Sequence, residues 1–370
     1  MDKKLISAAF TLTGTIIGAG ILGLPYVFSR SGFLVGVLWL LILGFILMYV
    51  NLCLGEVTLR TKQKHQLPGL AEHYLGKIGK RVMLFAVLFG VYSALLAYLI
   101  GEGQSLSHIF FNTTDYALYF AFGFWLLMTL LLREGLKGLK KVESYGVIAV
   151  LFLIFLIFVV FAPGIQKENL VFINTTNLFL PLGVVLFAFL GFTSIPELEM
   201  ELKGNEKSLK KAIIIGSAIP IIVYLIFTLV FVGVLGNSVQ EVATLSFGKL
   251  VNVLGIFTMF NSYFVLSFCL KDMFRFDLRI TKFRNFLFVS VFPIAIYFLI
   301  YYFNLFDFIG ILGIGGVVSG GVSGVLILLM NIKAKKTGDR KPEYKMWNTW
   351  WIIAFLSGVF ITGIIFELFF

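Results

Sequence analysis

The chain consists largely of apolar runs of about 20 residues, which short polar or charged segments separate. An α-helix needs about 20 apolar residues to cross roughly 30 Å of hydrocarbon. The runs do not alternate with period two, as the strands of a membrane barrel would. The pattern predicts eleven membrane-spanning helices, near residues 5–29, 33–59, 79–107, 116–133, 143–163, 177–202, 209–236, 244–271, 285–303, 306–332 and 348–369.

Composition supports a membrane protein, because 59% of the 370 residues are hydrophobic and 13% are charged. That much apolar surface does not fit inside one soluble core, so we expect a single polytopic domain over residues 1–370 with the lipid bilayer as its partner. The first run lacks a small-residue cleavage site, so it is predicted to remain as a helix.

The net charge of +11 is unevenly distributed along the chain. All but three of the 30 Lys and Arg residues fall in alternate loops, the exceptions being Arg30, Lys167 and Lys249. By the positive-inside rule, this predicts a multi-pass cell-membrane protein with a cytoplasmic N-terminus and an outside C-terminus. The basic charge is thus explained by topology, and no nucleic-acid partner is expected.

Some segments are predicted to lie outside the spans. Residues 67–75 (LPGLAEHYL) are too short to cross the membrane and are expected to form an interfacial helix, with a small counterpart after Ile165. The acidic residues Glu56, Asp272 and Asp307 lie near helix ends and are expected to be solvated.

No catalytic chemistry is indicated. The sequence shows no nucleophile and base pair, nucleotide loop or metal-ligand set within the membrane, so an enzyme is not expected. Cys53 and Cys269 lie in apolar runs and predict neither a disulfide framework nor a metal cluster. We expect no resident cofactor and see no signal for an obligate protein partner.

The first span contains GTIIGAGILGLP, in which four glycines and Pro25 interrupt a membrane helix. Close helix packing is one interpretation of such glycines. The other is an unwound segment whose free N–H groups bind a carboxylate and whose free carbonyls bind a cation.

The sixth span contains a second interruption, FAFLGFTSIPELEMEL. The two breaks occupy corresponding positions in spans that run in opposite directions. This predicts an inverted repeat, residues 5–163 and 177–332, with a transport site at the bilayer midplane and a peripheral helix at 348–369. The glycines of span ten are instead interpreted as packing residues.

The segments GTIIGAGILGLPYVFSRSGF, NLCLGEVTL, LLAYLIGEG and FLGFTSIPELE resemble the amino acid/polyamine/organocation superfamily. The nearest likeness within it is to the aromatic amino acid permeases and the related sodium-coupled neutral amino acid transporters. The resemblance implies an all-α, LeuT-like fold of ten core helices in two inverted halves plus one peripheral helix, and secondary active transport of amino acids.

The resemblance also implies site residues. The substrate's amino and carboxylate groups would contact the first break, the opposite wall would come from the second break, and span three would contribute a tyrosine, which packing explains equally well. These positions are Thr15, Gly18, Ala19, Gly20, Ile21, Tyr98, Phe189, Gly191, Phe192 and Ser194.

The family's sodium site would fall on oxygens of the first break and span eight, although these groups also suit local backbone bonding. The matching residues are Gly14, Ile17, Thr258, Asn261 and Ser262. Asn261 replaces the family's usual hydroxyl residue, whereas the absence of a basic residue within span five favours Na⁺. Glu102 and Glu197 are alternative proton carriers, unless they are solvated or paired.

Two functions follow from these observations. The first is a cation-coupled symporter for neutral amino acids, with aromatic ones as a candidate subclass, that works by alternating access, with Na⁺ favoured over H⁺. The second is an amino acid sensor of the spore germinant receptor type, whose membrane subunits have a similar length and first helix. A channel is disfavoured because no charge ring or filter repeat is visible.

Overall fold

A computed structural model describes residues 3–134 and 139–369, and every regular element in those residues is helical. The first half contains α1 (Lys3–Ile16), α2 (Gly20–Ser31), α3 (Phe33–Arg60), α4 (Leu67–Phe111), α5 (Ala117–Glu134), α6 (Leu139–Phe161) and α7 (Glu168–Val171). The second half contains α8 (Pro181–Ala188), α9 (Ile195–Glu201), α10 (Leu209–Leu235), α11 (Lys249–Asp272), α12 (Lys282–Phe286), α13 (Phe292–Phe303), α14 (Phe308–Gly315), α15 (Gly321–Thr337) and α16 (Trp350–Phe369).

Within the described residues, nine helices are long and apolar enough to cross a membrane. The bent pair α1 and α2 raises this number to ten, and the apolar helix Ala117–Arg133 is shorter than the others. Each of the eleven predicted spans therefore coincides with an apolar helix. The polytopic helical architecture is confirmed, while the count of eleven crossings stays a prediction.

The connections between helices gather at two opposite ends of the bundle. At one end Lys4 donates to the Lys203 carbonyl over 3.2 Å, and the Arg60 carbonyl accepts from the Asp339 amide over 2.8 Å. We call this end the basic face. At the other end, the Asn174 amide donates to the Ser31 carbonyl over 3.0 Å. The N-terminal segment and the loops after α3, α9 and α15, which the charge pattern groups together, thus share one face.

The two predicted interfacial segments are both helical. The segment 67–75 forms the start of α4. The helix kinks directly after it at Gly76, where the backbone has φ +77°. Glycine adopts this left-handed region without the steric penalty that a Cβ would bring. After Ile165, the short helix α7 lies beside α10, where Asn169 donates to the Gly233 carbonyl over 3.0 Å.

Burial distinguishes central from peripheral helices. We compared the share of residues that are buried in the most apolar stretch of each helical segment. This share is 83% for Pro181–Glu201 and 22% for Trp350–Glu367. The sixth predicted span is therefore surrounded by other helices to a much greater extent than the last one. The glycines of span ten serve close packing, because a Cβ at Gly316 would overlap the Gly183 carbonyl of α8.

Glu56 contradicts the expectation of a solvated carboxylate, because it is completely buried near the end of α3. Its carboxylate pairs with Arg60 at 2.8 Å and accepts from Asn331 of α15 and from the Met346 amide. The prediction was wrong because the connection from α15 to α16 folds back over this end of α3. The Tyr344 hydroxyl in that connection donates to the Leu52 carbonyl over 2.8 Å.

Replacing Glu56 with Ala should lower the free energy of unfolding by about 3 kcal/mol, because Arg60 and two further donors would lose a buried acceptor. Thermal unfolding of the detergent-purified protein measures this loss. The control is Glu343→Ala, whose ion pair with Arg340 is partly exposed and should contribute at most about 1 kcal/mol. Equal effects of the two substitutions would contradict the structural role of Glu56.

Candidate functional site

The first helix break lies between Ile16, the last residue of α1, and Gly20, the first residue of α2. The two helices meet at a bend of 56°, and no side chain caps the start of α2. A helix start leaves N–H groups without intrahelical partners. The interruption predicted from the glycine pattern is therefore present, with its backbone N–H groups at the start of a new helix.

Tyr98 of α4 lies directly at this break. Its hydroxyl accepts from the Ala19 N–H over 3.4 Å, and the Ser262 side chain of α11 faces the same break. A Cβ at Gly18 would lie 2.8 Å from the Tyr98 hydroxyl and 4.0 Å from Ser262 Oγ. The break, α4 and α11 thus bring together a backbone donor and two hydroxyl groups around Gly18.

The second break separates α8 from α9 and lies against the first one. A Cβ at Gly20 would overlap the backbone of Ala188, the last residue of α8, and one at Gly191 would lie 2.7 Å from Ile16. Ser194 bonds locally, donating to the Gly191 carbonyl over 2.9 Å. Because glycine alone permits these approaches, the two interruptions form one continuous region of irregular backbone.

Tyr224 of α10 connects the two breaks, and the sequence reasoning missed it. Its fully buried hydroxyl lies 2.9 Å from the Ile16 carbonyl oxygen and 2.8 Å from the Ala188 carbonyl oxygen. A single O–H is therefore shared between the last carbonyls of α1 and α8. The available signal was one tyrosine inside the apolar run IPIIVYLIF, because a buried tyrosine usually finds a hydrogen-bond partner.

The remaining predicted substrate residues lie in different surroundings. Thr15 is half-buried and its hydroxyl donates to the Thr11 carbonyl over 2.9 Å. Phe189 is turned toward α10, where its ring lies 5.2 Å from that of Tyr224. Ile21 and Phe192 are both buried, on α2 and beside Gly191 respectively.

The predicted sodium ligands divide between two surroundings. Ser262 faces Gly18, whereas Asn261 lies against α6. A Cβ added to Gly146 of α6 would be 3.4 Å from Asn261 Nδ2. Gly14 also packs on α6, because a Cβ there would overlap Val147.

The other two predicted ligands, Ile17 and Thr258, would bind a cation through their backbone carbonyl oxygens. Ile17 is a buried residue of the break, and its N–H donates to the Thr13 carbonyl over 2.9 Å. The Thr258 hydroxyl donates within α11 to the Leu254 carbonyl over 2.8 Å. A cation near Gly18 and Ser262 would therefore rely on carbonyl oxygens for most of its ligands.

The two candidate proton carriers differ in burial. Glu102 lies one helical turn beyond Tyr98 on α4 and is completely buried, and neither carboxylate oxygen has a hydrogen-bond partner among the described residues. Residues four apart share a helix face, so Glu102 is aligned with Tyr98. Glu197 is half-buried in the first turn of α9, on the side of the second break nearer the basic face.

Tyr224→Phe should destabilise the protein by about 1–3 kcal/mol, because the Ile16 and Ala188 carbonyls would lose their common hydrogen-bond donor. Thermal unfolding measures this loss, and amide hydrogen exchange should become faster around residues 16–22 and 188–194. Tyr297→Phe is the matched control, since Tyr297 is also buried but its hydroxyl makes no hydrogen bond among the described residues. Unchanged exchange at both breaks would show that Tyr224 does not hold them together.

Comparisons with known proteins agree with this architecture. Residues 1–244 match the tryptophan/tyrosine permease family. The chain is 27% identical to the tyrosine-specific transport system 1 of Haemophilus influenzae, over 99% of this chain and 97% of that protein. It is 24% identical to glutamine transporter 2 of Aliivibrio fischeri, over 71% of this chain and 68% of that protein.

Among solved structures, a manganese transporter of Eremococcus coleocola superimposes with a TM-score of 0.62 at 12% sequence identity. The alignment covers 99% of this chain and 86% of the manganese transporter. At this identity, the likeness shows a shared fold and gives no information on the substrate.

Proposed function

Because this chain belongs to the tryptophan/tyrosine permease family, as its motifs predicted, we propose that it transports neutral amino acids, with aromatic side chains preferred. The observation that carries the proposal is the contact between the two helix breaks, which exposes backbone groups deep within a helical bundle. Such groups recognise what all amino acids share. The tyrosine-specific and glutamine transporters among its relatives support this substrate class.

In the proposed mechanism, the substrate carboxylate binds at the start of α2, where the Ala19 N–H and the Tyr98 hydroxyl lie together. The N-terminal end of a helix carries a partial positive charge, which favours an anionic group there. The substrate ammonium would face carbonyl oxygens of the second break, near Phe189 and Gly191. The opposed breaks would belong to two inverted LeuT-like halves that rock against each other to expose the site alternately.

Coupling to Na⁺ is part of the proposal. The Ser262 hydroxyl lies beside Gly18, and oxygen ligands of this kind suit a hard monovalent cation. A cation there would lie near the substrate carboxylate, so each would strengthen the binding of the other. Glu102 provides the alternative, in which a buried carboxylate one turn from Tyr98 carries a proton.

The basic face is proposed to be cytoplasmic, because its loops contain most of the lysines and arginines. The opposite face would then be extracellular. The sensor alternative gains no support, since the curated relatives reported above are transporters. No feature of the described residues favours it over transport.

Tyrosine uptake into proteoliposomes should require an imposed Na⁺ gradient. Ser262→Ala should raise the Na⁺ concentration for half-maximal uptake about tenfold, the loss expected for one cation ligand of about 1.4 kcal/mol. Ser267→Ala, in the same helix, is the control. Na⁺ coupling through Ser262 would be rejected if uptake by the unmodified protein did not depend on the Na⁺ gradient. Unchanged Na⁺ dependence in Ser262→Ala would reject it as well.

Glu102→Gln separates Na⁺ from H⁺ coupling. If Na⁺ is the coupling ion, the variant should keep Na⁺-driven uptake and show no new dependence on a pH gradient, because the amide preserves the shape of the side chain. Uptake driven by an inward pH gradient in the unmodified protein, and abolished in Glu102→Gln, would instead assign coupling to this carboxylate.

A further inference from the structure

A cavity of about 310 Å³ lies at the basic face, apart from the helix breaks. Its walls come from the end of α3, the connection at residues 61–66, the first part of α4, helix α9 and the segment that follows α11. None of the residues predicted to bind substrate lines it. Pro196 does, and it follows the second break by only two residues, so the cavity lies next to the proposed transport site.

The lysine and glutamate side chains around this cavity carry equal numbers of positive and negative charges. Lys64 and Lys80 contribute two positive charges, and Glu72 and Glu199 contribute two negative ones. Glu72 and Lys80 form an ion pair at 2.6 Å, and Lys64 is among the nearby cations that act on half-buried Glu199. A phosphate-like anion would meet two carboxylates here and a simple cation would meet two lysines. The balance favours a ligand that carries both charges.

The rest of the lining suits an apolar or aromatic side chain. Leu70, Leu84, Met200, Met273 and Leu278 supply apolar surface beside the charged groups. Methionine adapts to irregular shapes and makes favourable contacts with aromatic rings. His65 adds a ring nitrogen, Nε2, that is buried without a hydrogen-bond partner among the described residues.

We propose that this cavity is a second amino acid binding site, which a zwitterionic amino acid occupies between the helix breaks and the basic face. The ligand carboxylate faces Lys64 and its ammonium faces Glu199, while the side chain contacts the methionines and leucines. This inference rests on the proposed function, since it supposes that the transported substrate class passes this cavity. It adds a site that the transport motifs do not contain.

The test uses a reporter cysteine in the full-length protein. Met200→Cys is introduced together with Cys269→Ser, because Met200 is 37% exposed and accessible to a maleimide. Bound tyrosine should slow the labelling. Adding Lys64→Gln or Glu199→Gln should raise the half-protective tyrosine concentration about tenfold, since each removes one charged contact of about 1.4 kcal/mol. Leu84→Cys serves as a second reporter if Met200→Cys does not fold.

Two matched variants serve as controls. Lys62→Gln removes a lysine next to the cavity that does not line it, and Glu206→Gln removes a carboxylate on the same face. Both should leave the half-protective tyrosine concentration unchanged. Equal protection in Lys64→Gln, Glu199→Gln and the controls would overturn the proposal, because protection would then arise from the helix breaks. Protection by inorganic phosphate in place of tyrosine would overturn it as well.

Uptake by the same preparations separates the two proposals. Protection that depends on Lys64 and Glu199 in a protein without tyrosine uptake would support the cavity site and reject transport of tyrosine. Normal uptake without any protection at tyrosine concentrations that saturate it would support transport and reject the cavity site.

Discussion

The structure depends on satisfying backbone hydrogen-bonding groups where two central helices are interrupted inside an apolar environment. Each unsatisfied N–H or C=O group costs several kcal/mol in hydrocarbon, so irregular backbone is tolerated there only when protein surrounds it or when it lines a polar cavity. Tyr224 meets this requirement for the last carbonyls of α1 and α8. Tyr98 does so for an N–H at the start of α2.

The same constraint explains why the breaks are rich in small residues. Gly20 lies against Ala188 and Gly191 against Ile16, so the two interruptions approach more closely than side chains would allow. Close approach excludes lipid and concentrates backbone dipoles in a small volume. The proposed transport site would use these groups, because a backbone group can exchange an internal partner for a ligand.

Polar groups at the basic face follow a different rule. Glu56 is buried but fully paired, so it connects α3, α15 and the connection before α16 without an unpaired charge. Glu199 and Lys64 line a cavity instead, where a ligand can reach them. Glu102, in the later half of α4, differs from both, because it is buried and its carboxylate oxygens have no partner among the described residues. A buried acid without a partner in a membrane-spanning helix is a candidate functional residue by default.

The sequence by itself determined the helical class, the position of each apolar helix, both breaks and the family, because apolar length and glycine or proline interruptions are local properties of the chain. It also indicated Tyr98, which lies at the first break. Only the tertiary structure decided that Tyr224 joins the breaks, that Glu56 is buried and that Asn261 lies against α6 rather than beside Gly18. These outcomes depend on which helix faces pack together across more than a hundred residues of chain, and hydrophobic periodicity does not encode such contacts in helices that are apolar on every side.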